Sequence, residues 1–595
     1  MILPWMIAGV VAGGIVAWAA ERVTPAASRV VSLMVLVALC AVVLGLWVWE
    51  AGAPVSALGD PWLIRWSIPW IPSLHVTFAF GLDGVGLLLL ALTSFLGLVA
   101  VAASWSSVAE GVGFFHFNLV AVVAALVGIF TATDLFLFYV FWEVLLVPLY
   151  FLIALWGYVP RRTYAAVKFF IFTQASGLLL LLAILGLHFA HERATGVSTF
   201  DYFALLGTPL SPRTALLLML GFFVAFAVKL PVVGLHTWLP DAHAEAPTAG
   251  SVHLAGLVLK VGAYGLLRFT VPLFPAAAAR FAPIAMALGA AGILYGALVA
   301  YGQTDLKRLV AYTSVSHMGF VLIGVFAWNP LALQGALVVM LAHGVSTSAL
   351  FVLAGDLSAR LHTRDMSRMG GLWAIAPRMG GFTLLFALAS LGLPGLGNFV
   401  GEILVIVGTW RVSPAIAAIA SVGFVSSTVY SLALVQRVFF GPNSAGWAIP
   451  DSTPREVAIL AALTAAILWL GITPRTTLAT ARGALDAMHA RAAIAAAPSA
   501  PRSGTCAAAA PAPAERDGRR GDRGHRVPAE PHPLGRPRPP RPRRRPRRDP
   551  PHHVVGAAPN HGAARPGWMD PPPPRLRARR DVHRGGARPR IPEAS

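Results

Sequence analysis

Runs of about twenty apolar residues recur from the first residue to position 472, and each is long enough to cross the hydrocarbon core of a bilayer. Inside lipid every backbone N–H and C=O must find its partner within the protein, so a segment of this kind is a helix or part of a closed barrel. Most of these segments are continuous apolar stretches, and they read as helices. The expected spans are 2–20, 30–49, 80–103, 114–131, 135–157, 165–190, 213–230, 250–271, 281–301, 309–327, 331–355, 381–410, 415–440 and 456–472.

Composition excludes several functions. The chain is 56% hydrophobic and only 12% charged, roughly half the charged fraction of a soluble domain. The first run leads into a second span without a small-residue cleavage site, so it does not read as a removable signal peptide. Two cysteines, Cys40 and Cys506, cannot build a disulfide framework, a structural zinc site or an iron–sulfur cluster. Neither a GxGxxG turn after a strand nor a P-loop is present, so nucleotide binding is not encoded. Any redox chemistry belongs to another chain.

The net charge of +20 is concentrated at one end. From Pro501 to Ser595 there are 22 Arg, no Lys and 8 acidic residues, which supply +14 of it. That composition reads as a disordered extension or as high-GC codons translated in a shifted frame, and no chemistry or nucleic-acid partner is assigned to it. Within the body, loops after odd-numbered spans hold twelve Lys and Arg, and those after even-numbered spans hold five. The positive-inside rule places the odd loops in the cytoplasm and both termini on the other side.

Two spans are interrupted. The seventh breaks at Lys229-Leu230-Pro231, and the twelfth within Gly392-Leu393-Pro394-Gly395-Leu396-Gly397-Asn398. One broken helix in each half is a pointer to inverted repeats around a site near the midplane. The expected fold is therefore an all-α polytopic membrane protein of about 14 transmembrane helices, with two inverted five-helix repeats and discontinuous helices seven and twelve. Its parts are N-terminal helices over 1–113, a first repeat over 114–271, a second over 281–440, a last helix at 456–472 and the Pro/Arg-rich tail over 498–595.

Lysine usage carries the chemistry. Of 46 Lys plus Arg only four are lysine: Lys168, Lys229, Lys260 and Lys307. Lys307 sits in a loop beside Arg308 and needs no special role, and Lys168 can snorkel to the interface. Lys229 and Lys260 lie well inside spans, where lysine differs from arginine in being able to give up its proton. Glu143 in span five and Glu402 after the twelfth break are carboxylates at bilayer depth, a costly placement that points to function. The dipole of a half-helix favours Lys229 at its C-terminal end and Glu402 in its first turns, with Asn398 as the expected N-cap. His317 in span ten and His343 in span eleven can relay protons between two ring nitrogens. His253, seven residues before Lys260, is expected on the same helical face. The hypothesis is a lateral chain from Glu143 through Lys229 and Lys260, then His317 and His343, to Glu402.

Simpler readings compete with this one. Glu143 and Lys229 make a plausible static ion pair, and a lone membrane histidine is often only a hydrogen-bond partner. Asp134, Arg268 and Asp305 sit near span ends and read as interfacial. His236, Asp241, His243 and Glu245 are metal-ligand types in a Pro-rich loop, but without zinc spacing, so no metal site is read there.

The stretch from Ala227 through Lys229-Leu230-Pro231 and His236-Thr237-Trp238-Leu239-Pro240-Asp241 to Val252 closely resembles the signature of antiporter-like proton-pumping subunits. So do Asp305 to His317 and Gly397-Asn398-Phe399-Val400-Gly401-Glu402. This family includes three paralogous subunits of respiratory complex I and the large subunits of multisubunit sodium/proton antiporters. The resemblance spans about 70 to 475, and glutamate at position 402, where sister subunits usually carry lysine, favours one complex I branch. It implies that Glu143 and Lys229 control the first half-channel, Lys260 is the central relay, His317 and His343 connect, and Glu402 terminates. It further implies NADH:quinone oxidoreductase partners that hold FMN and iron–sulfur clusters, two antiporter-like paralogues among the membrane-arm partners, and a bacterial inner (plasma) membrane location. The alternatives are a subunit of a multisubunit Na+/H+ antiporter, a non-pumping scaffold, or the membrane arm of a hydrogenase or F420-type complex. After residue 475 neither a long amphipathic lateral helix nor a further anchor is expected.

Overall fold

In the computed structural model, residues 1–52 and 61–496 are described; the Pro/Arg-rich tail and Cys506 lie outside them. Among the described residues thirteen helices are long and apolar enough to cross a membrane, from Ile2–Ala20 to Pro454–Ile472. The twelfth expected span is the exception. It forms two shorter helices, Pro377–Ser390 and Gly397–Trp410, separated at the Gly/Pro-rich segment. The chain is a polytopic helical membrane protein, as the apolar runs require.

Burial separates the spans into a periphery and a centre. The Pro25–Ala51 window is only 22% buried, whereas the windows of Thr248–Leu273 and Pro330–Leu361 are 100% buried. The central stretches of these eighth and eleventh spans form the interior. The tenth, Leu306–Ala327, is 94% buried and packs against both the ninth, Pro275–Tyr301, and the eleventh. Lys260, His317 and His343 on these helices are therefore inside protein.

The seventh helix, Pro212–Lys229, ends where Pro231 removes an amide donor, and the chain turns through Gly234 with φ +90° before a short helix, Leu239–Glu245. The freed backbone groups keep partners: Trp238 Nε1 donates to Val228 O at 2.9 Å, and Val232 N to Ala227 O at 2.9 Å. At the twelfth break Gly392 has φ +84°, and Ser427 Oγ donates to Leu391 O at 3.2 Å. Both interruptions persist because the exposed peptide groups find partners inside the protein, from the following loop at the seventh break and from a neighbouring helix at the twelfth.

Three features depart from the sequence reading. Residues 62–83 form an antiparallel hairpin, β1 (Trp62–Ile71) and β2 (Val76–Asp83), with Trp66 opposite Phe80. The third span accordingly starts at Gly84, with the Asp83 side chain accepting from Gly86 N. A helix also forms at Pro474–Ala496, where no element was expected. It packs on the third and eleventh spans, and a Cβ at Gly84 would stand 1.8 Å from Thr480 O, so glycine permits that approach. Finally, the eighth span contains two π-helical turns, Leu254–Val258 and Leu266–Thr270.

Candidate functional site

Lys229 is the last residue of the seventh helix and is fully buried. Its ammonium lies 3.4 Å from the Trp142 carbonyl oxygen and 3.5 Å from the centroid of the Trp142 ring. A cation over an indole face is held by the ring quadrupole. No direct ion pair joins Lys229 to Glu143 among the described residues; Trp142 is the contact. Glu143 is half-buried beside Tyr139 and Gln174, with Oε1 unpartnered. A Cβ at Gly177 would stand 1.8 Å from that oxygen, so the carboxylate occupies space that only glycine leaves open. The direct ion pair of the simpler reading is not formed; Trp142, the residue before Glu143, contacts the ammonium instead.

Lys260 follows the first π turn of the eighth span and is fully buried. Its Nζ donates to Ala255 O and lies 2.7 Å from His343 Nδ1. A carbonyl five residues back is the partner a π turn offers. π turns in otherwise α-helical segments frequently mark functional sites. The same turn undoes the expected alignment of His253 with Lys260. One extra residue in a turn rotates the downstream residues by about a quarter turn, so a spacing of seven no longer marks one face. Both His253 ring nitrogens are unpartnered.

On the other side the series reaches His317 by a ring contact rather than a hydrogen bond, and His343 Nε2 has no partner among the described residues. The His343 and His317 rings stand edge to face, with centroids 5.6 Å apart. His317 Nδ1 is 2.8 Å from Glu402 Oε1, and the four groups Lys260, His343, His317 and Glu402 are at most 2% exposed. The spatial order is Lys260, His343, His317, Glu402, with the two histidines reversed relative to their order in sequence. Between Lys229 and Lys260 there is no hydrogen bond among the described residues, although Gly262 brings the eighth span against Phe226 O and Leu230 N of the seventh. Asn398 does not cap Glu402's helix. The N-cap is Leu396, and the Asn398 side chain bonds Ser346 instead, with Nδ2 donating to Oγ at 3.3 Å.

Several residues read as interfacial are in the interior. Lys307 is fully buried, donates to Ala246 O at 2.9 Å and lies 4.6 Å from the Tyr158 ring centroid. Arg268 pairs with Asp83 in a buried contact that ties the hairpin to the eighth span. Asp134 and Asp305 cap helices, accepting from Phe136 N and Arg308 N. Lys168 does not snorkel; it pairs with Asp241 at 2.6 Å, and Arg308 holds the other oxygen at 2.7 Å. Burial pushes the Asp241 carboxyl up, but these two cations together outweigh it and hold it below the usual range. His243 is fully buried with both nitrogens unpartnered. Among the described residues no group of three or more His, Cys, Asp or Glu is arranged to hold a metal ion. Trp142, Ser390 and Tyr430 were not legible in advance, since an indole or hydroxyl in a membrane helix carries no signal by itself.

Residues 132–428, which include all six of these ionisable groups, match the family of NADH:quinone oxidoreductase and Mrp antiporter membrane subunits. The chain is 52% identical over 487 residues to NADH-quinone oxidoreductase subunit M of Pseudomonas aeruginosa, covering 80% of this chain and 95% of that one. The chain belongs to this antiporter-like family. Among solved structures it is similar to a chain of respiratory complex I from Thermus thermophilus, with TM-score 0.74 and 31% identity, covering 83% of this chain and 100% of that one. A chain of the Mrp complex from Dietzia shares the fold, with TM-score 0.71 and 21% identity, covering 83% of this chain and 99% of that one.

Proposed function

We propose that this chain is a proton-translocating membrane-arm subunit of NADH:quinone oxidoreductase, moving protons laterally along Glu143, Lys229, Lys260, His343, His317 and Glu402. One observation carries the reading: Lys260, His343, His317 and Glu402 form a buried series, with direct polar contacts between Lys260 and His343 and between His317 and Glu402 and the two imidazole rings edge to face between them. An ionisable series of this length inside a membrane protein is expensive and is retained for transport. Identity of 52% to a subunit M sequence favours this reading over a sodium/proton antiporter subunit.

Electron transfer is placed in partner subunits that hold FMN and iron–sulfur clusters. This chain supplies coupling. A signal along the membrane arm that moves Glu143 relative to Lys229 changes the electrostatic energy of the ammonium through a low-dielectric medium. Spans four to eight and nine to thirteen act as inverted repeats, each with one broken helix beside its charged group. The chain sits in a bacterial inner membrane, with odd-numbered loops cytoplasmic and both termini outside, next to two antiporter-like paralogues.

The test is Glu143→Gln in membranes, with assembly of the complex checked on a native gel. NADH-driven quinone reduction and proton uptake are followed together. An assembled complex with strongly reduced turnover and pumping supports the path. An assembled complex with both unchanged rejects it and leaves the buried charges structural.

A further inference from the structure

His317 uses both ring nitrogens. Nδ1 faces Glu402, while Nε2 lies 3.0 Å from Ser390 Oγ and 3.2 Å from the Tyr430 hydroxyl. Ser390 is 3% exposed and Tyr430 is fully buried. The Tyr430 hydroxyl is also within hydrogen-bonding reach of Ser390 and Ser316. Two hydroxyls on one buried ring nitrogen exceed what a static histidine needs, since that nitrogen makes one good hydrogen bond.

Their value lies in the chemistry of the hydroxyl. A neutral imidazole has one donor and one acceptor nitrogen, and an imidazolium has two donors. When Glu402 is ionised, Nδ1–H donates to it, and Nε2 must accept in the neutral ring or donate in the cation. When Glu402 is protonated and donates to Nδ1, Nε2–H must donate. A hydroxyl serves each case by rotating, because it carries one proton and two lone pairs. A carbonyl or carboxylate in its place would serve only the states in which Nε2 donates, and an ammonium only the state in which it accepts, leaving a buried polar atom unpaired in the rest.

We propose that Ser390 and Tyr430 are positioning residues that allow His317 to change its protonation state without orphaning Nε2. The inference rests on the reading of His317 and Glu402 as proton carriers. The hydroxyls are needed as the ring is charged and discharged. With Glu402 ionised, the neutral Nδ1–H ring accepts at Nε2 from a hydroxyl. The preceding carrier's N–H bond breaks as an N–H bond forms at Nε2, and the hydroxyl turns to accept. The Nδ1–H bond then breaks as an O–H bond forms on Glu402, while Nε2–H goes on donating. No oxidant or further reactant is involved. The placement is built into the fold. Ser390 is the last residue before the twelfth break, and Tyr430 lies one helical turn after Ser427, which satisfies the Leu391 carbonyl exposed by that break.

The experiment uses the assembled complex in membranes carrying Tyr430→Phe, alone and combined with Ser390→Thr or Ser390→Val. Thr and Val have the same shape and differ by a hydroxyl for a methyl, so a packing effect is common to both. With Tyr430→Phe alone a modest loss is expected, roughly twofold. Adding Ser390→Thr should leave that rate unchanged. Adding Ser390→Val should cut NADH-driven pumping roughly tenfold further, enlarge the solvent deuterium isotope effect and narrow the pH profile of turnover. Equal rates, isotope effects and pH profiles in the Thr and Val double variants would overturn the inference. Glu402→Gln is measured in parallel: if it pumps normally, the proton path itself has failed; if it is impaired while Thr and Val agree, only the role of the hydroxyls has failed.

Discussion

The two halves of the buried chain are built differently. In the second half, Lys260 touches His343, His317 touches Glu402, and every member is held by packed helices with little exposure. In the first half, Glu143 and Lys229 do not touch; Trp142 lies beneath the ammonium, and one carboxylate oxygen is unpartnered. Touching groups with the two imidazole rings adjacent between them suit conduction, because proton movements within each touching pair are short. A spaced pair suits control, because a small displacement changes the interaction energy steeply when water is absent. The contrast teaches that paired acid and base residues on similar broken helices need not perform the same task.

Substitutions at four positions test the contrast, in decreasing order of expected effect. Lys260→Met keeps the volume and removes the proton at the start of the connected half. Pumping in the assembled complex should fall by roughly tenfold or more, and normal pumping would break the series at its first member. In the first half, Trp142→Leu removes the indole under Lys229 while Trp142→Phe keeps an aromatic face. The leucine variant should lose roughly fivefold in turnover, matching about 1 kcal/mol of cation–π attraction, and the phenylalanine variant less. Equal losses would show that the ring packs helices rather than holding the ammonium.

Gly177→Ala probes the carboxylate side of the spaced pair. Its methyl would displace Glu143 Oε1, and turnover should change by roughly threefold, since small misplacements of reacting groups are costly. An unchanged rate would mean that Glu143 has no fixed working position. The smallest effect is expected at Asp241, which joins Lys168 and Arg308 outside the chain of carriers. Asp241→Asn should cost about 1 kcal/mol of stability, read as a small drop in the thermal midpoint of the assembled complex. The folded-state pKa of Asp241 is depressed, so its contribution is complete above the ordinary carboxyl value of 3.8 and is lost as pH falls below it. The difference between wild type and Asp241→Asn should therefore vanish in acid; a difference that persists there would assign the effect to packing.

Legibility tracked the strength of the local signal. The break at Lys229-Leu230-Pro231 was readable because proline and glycine act on their own peptide groups. Glu402 was readable because a carboxylate in an apolar run has no ordinary explanation. The hairpin at 62–83 was not, since Val76 to Leu82 merges with the next apolar run. Lys307 looked like a loop residue because it begins a helix beside Arg308, yet it is capped by Ala246 O from a distant segment. Asn398 looked like a cap because its residue type favours that position, but Ser346 on the eleventh span offers its side chain a partner.

By itself, then, the sequence did not determine the burial of Lys307, Arg268 or Asp134; it determined the membrane-spanning helices, the two interruptions and the placement of Lys229, Lys260, His317, His343 and Glu402 within apolar segments. Each of these comes from the solvent a residue must face and from the peptide groups of its own segment. Only the tertiary structure decided the order of His343 before His317, the indole under Lys229, the rotation of Lys260 by a π turn, and the hydroxyls at His317 Nε2. Those depend on which helices cross at which height, and that is set by packing among residues 26 to 113 positions apart, separations at which local pattern carries no information.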